Sequence, residues 1–69
     1  HVIVLGIDPG VANTGYGVVA HRAGRLVALD GGVVETAAGR RPEARLVAIH
    51  ARIGELMDEH RPDAVALED

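Results

Sequence analysis

Residues 2–8, Val-Ile-Val-Leu-Gly-Ile-Asp, are apolar at odd and even positions alike until Asp8. A short run of that kind fits a strand covered on both faces, and therefore a central strand with layers above and below it. Pro9 then fixes φ and Gly10 is free to take positive φ, so the chain turns between Asp8 and Asn13. From Thr14 to His21, Tyr16, Val18 and Ala20 alternate with Gly15, Gly17 and Val19, which predicts a second strand with one face stripped of side chains. Ala23-Gly24-Arg25 is a break of hairpin size. Leu26–Leu29 and Val33–Thr36 form a third strand, interrupted at Asp30-Gly31-Gly32, where a bulge or bend is expected.

Beyond a linker at 37–41 the period changes from two to three and four. Leu46, Ile49, Ile53, Leu56 and Met57 mark one apolar stripe on a helix over 42–60, with Arg45, Arg52, Glu55, Asp58 and Glu59 off the stripe. Pro42 suits the first helical position and Glu43 puts negative charge in the first turn. The helix stops at His60-Arg61, because Pro62 disfavours a helical residue before it. Ala64 to Glu68 is a fourth strand. The fold class is therefore α/β, a mixed sheet with elements in the order strand, strand, strand, helix, strand. The first three strands are antiparallel neighbours, and the helix is a right-handed crossover that returns the fourth strand parallel to the meander. If the fourth strand pairs with the first, Asp8 and Glu68 end at the same edge of the sheet, where open α/β sheets place their sites.

Composition narrows the classes. With 69 residues there is room for one small domain, and with 1% aromatic residues its core must come from Val, Leu, Ile and Ala. No cysteine is present, which excludes disulfides and thiolate zinc sites. The net charge of −3, with arginines scattered along the chain, argues against this segment being a basic nucleic-acid surface by itself. No apolar run approaches a membrane span and no export signal is visible, so the expected location is cytoplasmic, without a membrane partner. The final residues, Leu67-Glu68-Asp69, close an apolar run without a tail, and the chain reads as cut within a domain after the fourth strand.

Candidate chemistry rests on two acids. An ionised carboxylate at the end of a buried strand is costly unless it is paired, hydrogen-bonded or bound to a metal. Strand parity lets only one of Glu68 and Asp69 join Asp8, and Glu68, continuing the face of Ala66, is the expected partner while Asp69 points away. Two like charges at close range call for a cation between them. With no Cys and no spaced His pair, all-oxygen ligation selects Mg²⁺ or Mn²⁺ over Zn²⁺. Plainer readings stand beside this one. Asp-Pro-Gly also reads as a turn with an Asp side-chain cap, and a terminal Glu as solvated. Gly15 and Gly17 serve either close helix packing or space for a substrate phosphate. Tyr16 reads as core and His50 as a boundary residue. His1, His21 and His60 have no partner in sight, and Asp30, Glu35, Asp58, Glu59 and Asp63 read as turn or surface acids.

Three blocks, Gly6-Ile7-Asp8-Pro9-Gly10, Asn13-Thr14-Gly15-Tyr16-Gly17-Val18-Val19 and Arg61-Pro62-Asp63-Ala64-Val65-Ala66-Leu67-Glu68, closely resemble the opening of the RuvC family of bacterial Holliday-junction resolvases. The likeness spans essentially the whole chain. It implies a ribonuclease H-like fold, with residues 1–69 the N-terminal part of a single nuclease domain. It implies a homodimeric endonuclease making paired nicks in four-way junction DNA during recombination and repair, in company with a branch-migration helicase complex. It also implies hydrolysis dependent on Mg²⁺, with Mn²⁺ able to substitute, at a site where four carboxylates hold two ions. Asp8 matches the family's first-strand aspartate and Glu68 its fourth-strand glutamate, as catalytic and metal-ligating residues. The other two acids lie beyond residue 69, so the 69 residues alone are expected to be inactive. Two other families share parts of the pattern: the actin-like sugar kinases and ATPases, in which Asp8, Gly10 and Thr14 would hold ATP phosphates, and the resolvase-like proteins of ribosomal RNA processing. Glu68 has no special use in the former. For the latter an Arg is expected at Asn13 and a Gly-x-Pro ending to the fourth strand.

Overall fold

A computed structural model describes residues 1–10, 13–36 and 41–68. The chain forms β1 (Val2–Pro9), β2 (Asn13–Arg22), β3 (Arg25–Glu35), α1 (Pro42–His60) and β4 (Ala64–Leu67), the expected order along the chain. In space the single sheet is ordered β3-β2-β1-β4, with β1–β2 and β2–β3 antiparallel and β1–β4 parallel. The β2–β3 hairpin closes through Ala23 (φ 48°) and Gly24 (φ 74°), the two left-handed residues that a tight two-residue turn requires.

Alternation divides the sheet into two faces. On one, Ile3, Leu5 and Ile7 of β1 pair with Ala20, Val18 and Tyr16 of β2, and Leu5, Ile7 and Val18 form a buried cluster with Leu56 of α1. Tyr16 packs at the edge of this cluster, where its hydroxyl accepts a hydrogen bond from Arg52 Nη2 at 2.7 Å, so it is core with a polar tether. Its phenol explains Gly32, where a Cβ would meet the Tyr16 Oη at 2.7 Å. On the other face lie Val2, Val4, Gly6 and Asp8. Nothing among the described residues packs over it, so β1 is central as expected but covered on one side only.

Several expectations need correction. The helical stripe is too long: Leu56 is 1% exposed and Ile53 packs on the core, but Leu46 is 66% exposed and Met57 39%. Leu46 sits ten residues before Leu56, about 15 Å along the axis, and the helix meets the core through its C-terminal half. The third strand is continuous over 25–35, and its irregularity falls at Leu29, because Val18 pairs with Asp30 while Val19 pairs with Ala28. The bulge leaves Asp30 on the packed face, where it meets the end of α1. His60 Nε2 lies 2.9 Å from Asp30 Oδ2, and the Gly31 amide donates to Asp30 Oδ1 at 2.8 Å.

The helix begins at Pro42 without a side-chain cap and ends on Arg61, which takes the left-handed conformation (φ 47°, ψ 58°) and donates its amide to the Met57 carbonyl at 3.0 Å. Asp63 then pins the start of β4. Its carboxylate accepts from the Ile3 amide at 2.7 Å, and its own amide donates to the Ile3 carbonyl at 2.7 Å. Asp63 is thus a register residue, not simply a surface acid.

Leu56→Ala is expected to cost about 2–5 kcal/mol in chemical denaturation, and Leu46→Ala no more than about 0.5 kcal/mol. The His60 hydrogen bond, and after it the Gly31 amide, hold the Asp30 carboxyl below its usual 3.8. A lowered folded-state value means that this stabilisation is present above about 3.8 and is lost as pH falls below it. The stability gap between the protein and Asp30→Asn should therefore narrow on acidification below pH 4; a gap constant from pH 7 to pH 2 would contradict it.

Candidate functional site

The uncovered face carries the candidate site. Because β1 and β4 are parallel, with Val4 opposite Ala64 and Gly6 opposite Ala66, the next residues on that face are Asp8 and Glu68. The Glu68 amide donates to the Ile7 carbonyl at 2.9 Å, which carries the pairing past the end of β4. Both carboxylates line one open cavity of about 410 Å³. The structure therefore brings together the two acids singled out in the sequence. Asp69 lies outside the described residues.

The floor of the cavity is nearly bare. Gly31, Gly17, Gly6 and Ala66 stand in register across all four strands; the adjoining row reads Val33, Gly15, Asp8, and Glu68 follows on that face just beyond β4. Gly15 and Gly17 sit on the face opposite the helix, so close helix packing is not their reason. Backbone sterics are not the reason either, since a Cβ on Gly17 would meet nothing within 4 Å and one on Gly6 only the Gly17 carbonyl oxygen at 3.8 Å. What the glycines provide is depth beside the carboxylates.

Arg45 supports the loop that follows Asp8. Its Nη2 donates to the Gly10 carbonyl at 3.0 Å and its Nε to Thr36 Oγ1 at 2.7 Å, joining the β1 exit, the end of β3 and the first turns of α1. Sequence reasoning missed this residue, which looks like one more off-stripe arginine.

Asp8 and Glu68 are the only charged residues lining the cavity among those described. Two carboxylates on neighbouring strand ends without a facing cation suit a divalent ion bound through oxygen. Thr14 does not join them. It pairs with Pro9 on the helix side, is 3% exposed, and its Oγ1 has no hydrogen-bond partner. A phosphate-binding loop built from Asp8, Gly10 and Thr14 is not supported by that placement.

A second acidic group, Asp30, Glu59 and His60, lies on the packed side of the sheet and shares no residue with the Asp8–Glu68 cavity. Local sequence patterns do not reveal it, because Asp30 and His60 are thirty residues apart and meet only through the crossover.

With this geometry established, the comparisons with known proteins decide the family. The family model for crossover junction endodeoxyribonuclease RuvC matches residues 4–69. The chain belongs to that family. It is 41% identical over 68 residues to the RuvC of Alkaliphilus metalliredigens and 46% identical over 66 residues to that of Syntrophomonas wolfei. It covers 99% and 96% of its own length in these matches but 42% and 38% of the relatives' length. Among solved structures it is similar to T. thermophilus RuvC in complex with Holliday junction substrate, at TM-score 0.87 and 40% identity over the whole chain and 43% of that one. The Aquifex aeolicus PPX-GPPA enzyme, at TM-score 0.75 and 20% identity over 96% of this chain and 25% of that one, shares the fold alone. The fold is thus the ribonuclease H-like fold of the RuvC family, and neither rival family is favoured.

Gly17→Val should leave the fold intact, since the position is open and a β-branched residue suits a strand, while filling the cavity floor. The expected outcome is an unchanged melting temperature; a melting temperature lowered by several degrees would show that the floor needs glycine for packing and not for depth.

Proposed function

We propose that this chain supplies part of the catalytic site of a Holliday-junction-resolving endonuclease, a hydrolase cutting DNA phosphodiesters during recombination and repair. The observation that carries the reading is the register of β1 and β4, which makes Asp8 and Glu68 neighbours beside a glycine-floored cavity. Family membership and the likeness to a RuvC structure with Holliday junction substrate support the choice of reaction and DNA.

In this reading Asp8 and Glu68 are catalytic residues that hold Mg²⁺, with Mn²⁺ as a substitute and two ions in a complete site that draws further acids from elsewhere in the enzyme. Such ions supply an activated water and charge stabilisation at the leaving oxygen. The protein's own contribution is positional. Asp8 is fixed by the paired backbone of β1 and by Arg45 holding the loop beyond it, and Glu68 by its amide bond to the Ile7 carbonyl. The bare Gly6–Gly17 floor lets a phosphodiester lie against the sheet beside both carboxylates. Cleavage of two strands calls for two such sites, hence a homodimer. Recognition rests on junction shape and phosphate contacts, the charge for which must come from outside this acidic segment. Cooperation with a branch-migration helicase and a cytoplasmic location complete the reading, on the strength of the family and the DNA substrate.

In the intact enzyme, Asp8→Asn and Glu68→Gln should each lower nicking of a synthetic four-way junction by at least about a hundredfold, the scale of removing one transition-state-stabilising group. Junction binding measured by gel shift should stay within a few-fold, because ligand loss leaves the phosphate-positioning contacts alone. Near wild-type nicking by Asp8→Asn would overturn the assignment.

A further inference from the structure

We propose that Arg45 is a positioning residue of the candidate site: by holding the Gly10 carbonyl it keeps Asp8 beside Glu68, and it thereby sets the affinity of the acid pair for a divalent ion. The inference rests on the reading of Asp8 and Glu68 as metal ligands, and extends it to a helix residue that hydrogen-bonds to neither. Glu68 is held at its own position, since its amide donates to the Ile7 carbonyl at 2.9 Å. Asp8 is less secure. Pro9 follows it and has no N–H to give the ladder, Pro9–Thr14 is the last pair between β1 and β2, and pairing with β4 stops at Ile7. Gly10 then passes so near β2 that a Cβ there would collide with the Asn13 carbonyl oxygen.

Arg45 fixes that exit from the helix side. Its Nη2 donates to the Gly10 carbonyl at 3.0 Å and its Nε to Thr36 Oγ1 at 2.7 Å, and Thr36 is itself buried. The backbone beneath is set as well, because the Arg45 amide donates to the Arg41 carbonyl at 3.1 Å in the first turn of α1. One rigid guanidinium thus links the ends of β1 and β3 to the start of the crossover that returns β4 to β1. No acid among the described residues lies within ion-pair distance of Arg45, so its bonds serve geometry and not charge balance. The planar fork reaches two acceptors at once, whereas a lysine has a single ammonium on a flexible stem. Mg²⁺ demands near-ideal octahedral geometry, so a carboxylate that swings with a loosened strand end binds it poorly. Groups that hold ligands in place without touching the metal typically govern roughly 10–100-fold in affinity.

The test is Mn²⁺ binding to the intact enzyme, read from the electron paramagnetic resonance of free Mn²⁺ in the absence of DNA. Arg45→Met is expected to weaken binding about tenfold or more, the scale of losing an outer-shell partner. Arg45→Lys, which keeps the charge but not the fork, should do the same. In the Asp8→Asn background, Arg45→Met should change the affinity by less than about twofold, because its effect passes through Asp8. The Mg²⁺ concentration for half-maximal nicking of a four-way junction should rise in parallel, with nicking largely restored at saturating Mg²⁺. Thr36→Val spares the Gly10 bond and removes only its brace, so it decides the matter if Arg45→Met does not fold. It should weaken Mn²⁺ binding a few-fold, in line with one lost hydrogen bond. Unchanged affinity in the deciding variant, rescue by Arg45→Lys, or an equal loss with and without Asp8 would each overturn the proposal. Wild-type affinity in Asp8→Asn would instead overturn the underlying reading of the acid pair.

Discussion

The parallel pairing of β1 with β4 is the constraint on which the rest depends. A parallel neighbour requires a crossover, and α1 supplies it. The helix ends where Arg61 turns left-handed ahead of Pro62, and Asp63 then bonds to both the amide and the carbonyl of Ile3. From that anchor the register runs without freedom to Ile7 opposite Leu67. A slip of one residue would send Glu68 to the packed face, because successive strand residues alternate sides. Two residues remote from the site, Asp63 and Arg61, thereby decide that the two acids meet.

The two faces of the sheet divide the work. The packed face holds the cluster of Leu5, Ile7, Val18 and Leu56 and the polar tethers Tyr16–Arg52 and Asp30–His60, which fix the helix. The other face is left smooth by Gly6, Gly15, Gly17 and Gly31 and carries its charge at one edge. That arrangement suits a long, stiff, negatively charged polymer laid across the sheet, which must bring a phosphate close to carboxylates that would otherwise repel it. In the proposed function a cation between them would resolve the conflict, so that the acidity of the site and a need for metal would have one cause.

Much of this was legible in the sequence because period-2 and period-3.6 patterns report backbone geometry directly. The element order follows from them, and so does the shared face of Asp8 and Glu68 once β4 pairs with β1, which the structure supplies. The helix stripe was overread at Leu46 because amphipathic spacing reveals which side of a helix is apolar but not how far along its axis the sheet extends. The bulge fell at Leu29, before the glycines that suggested it, since register is set by both partners and β2 changes from Val18 to Val19 there. Gly15 and Gly17 were ambiguous until the side of the sheet taken by the helix was known. Asp63, Arg45 and the Asp30–His60 pair were invisible for a common reason: each acts across contacts of long sequence separation that no local pattern encodes.

The central claim is that Asp8 and Glu68 share one cation. Paramagnetic broadening by Mn²⁺ tests it without requiring catalysis. In a titration of isotope-labelled protein at substoichiometric Mn²⁺, the account predicts that the amide signals of Ile7–Asp8 and Leu67–Glu68 broaden together and recover together on addition of Mg²⁺. Broadening of one strand end without the other, or of neither while signals elsewhere vanish, would contradict it.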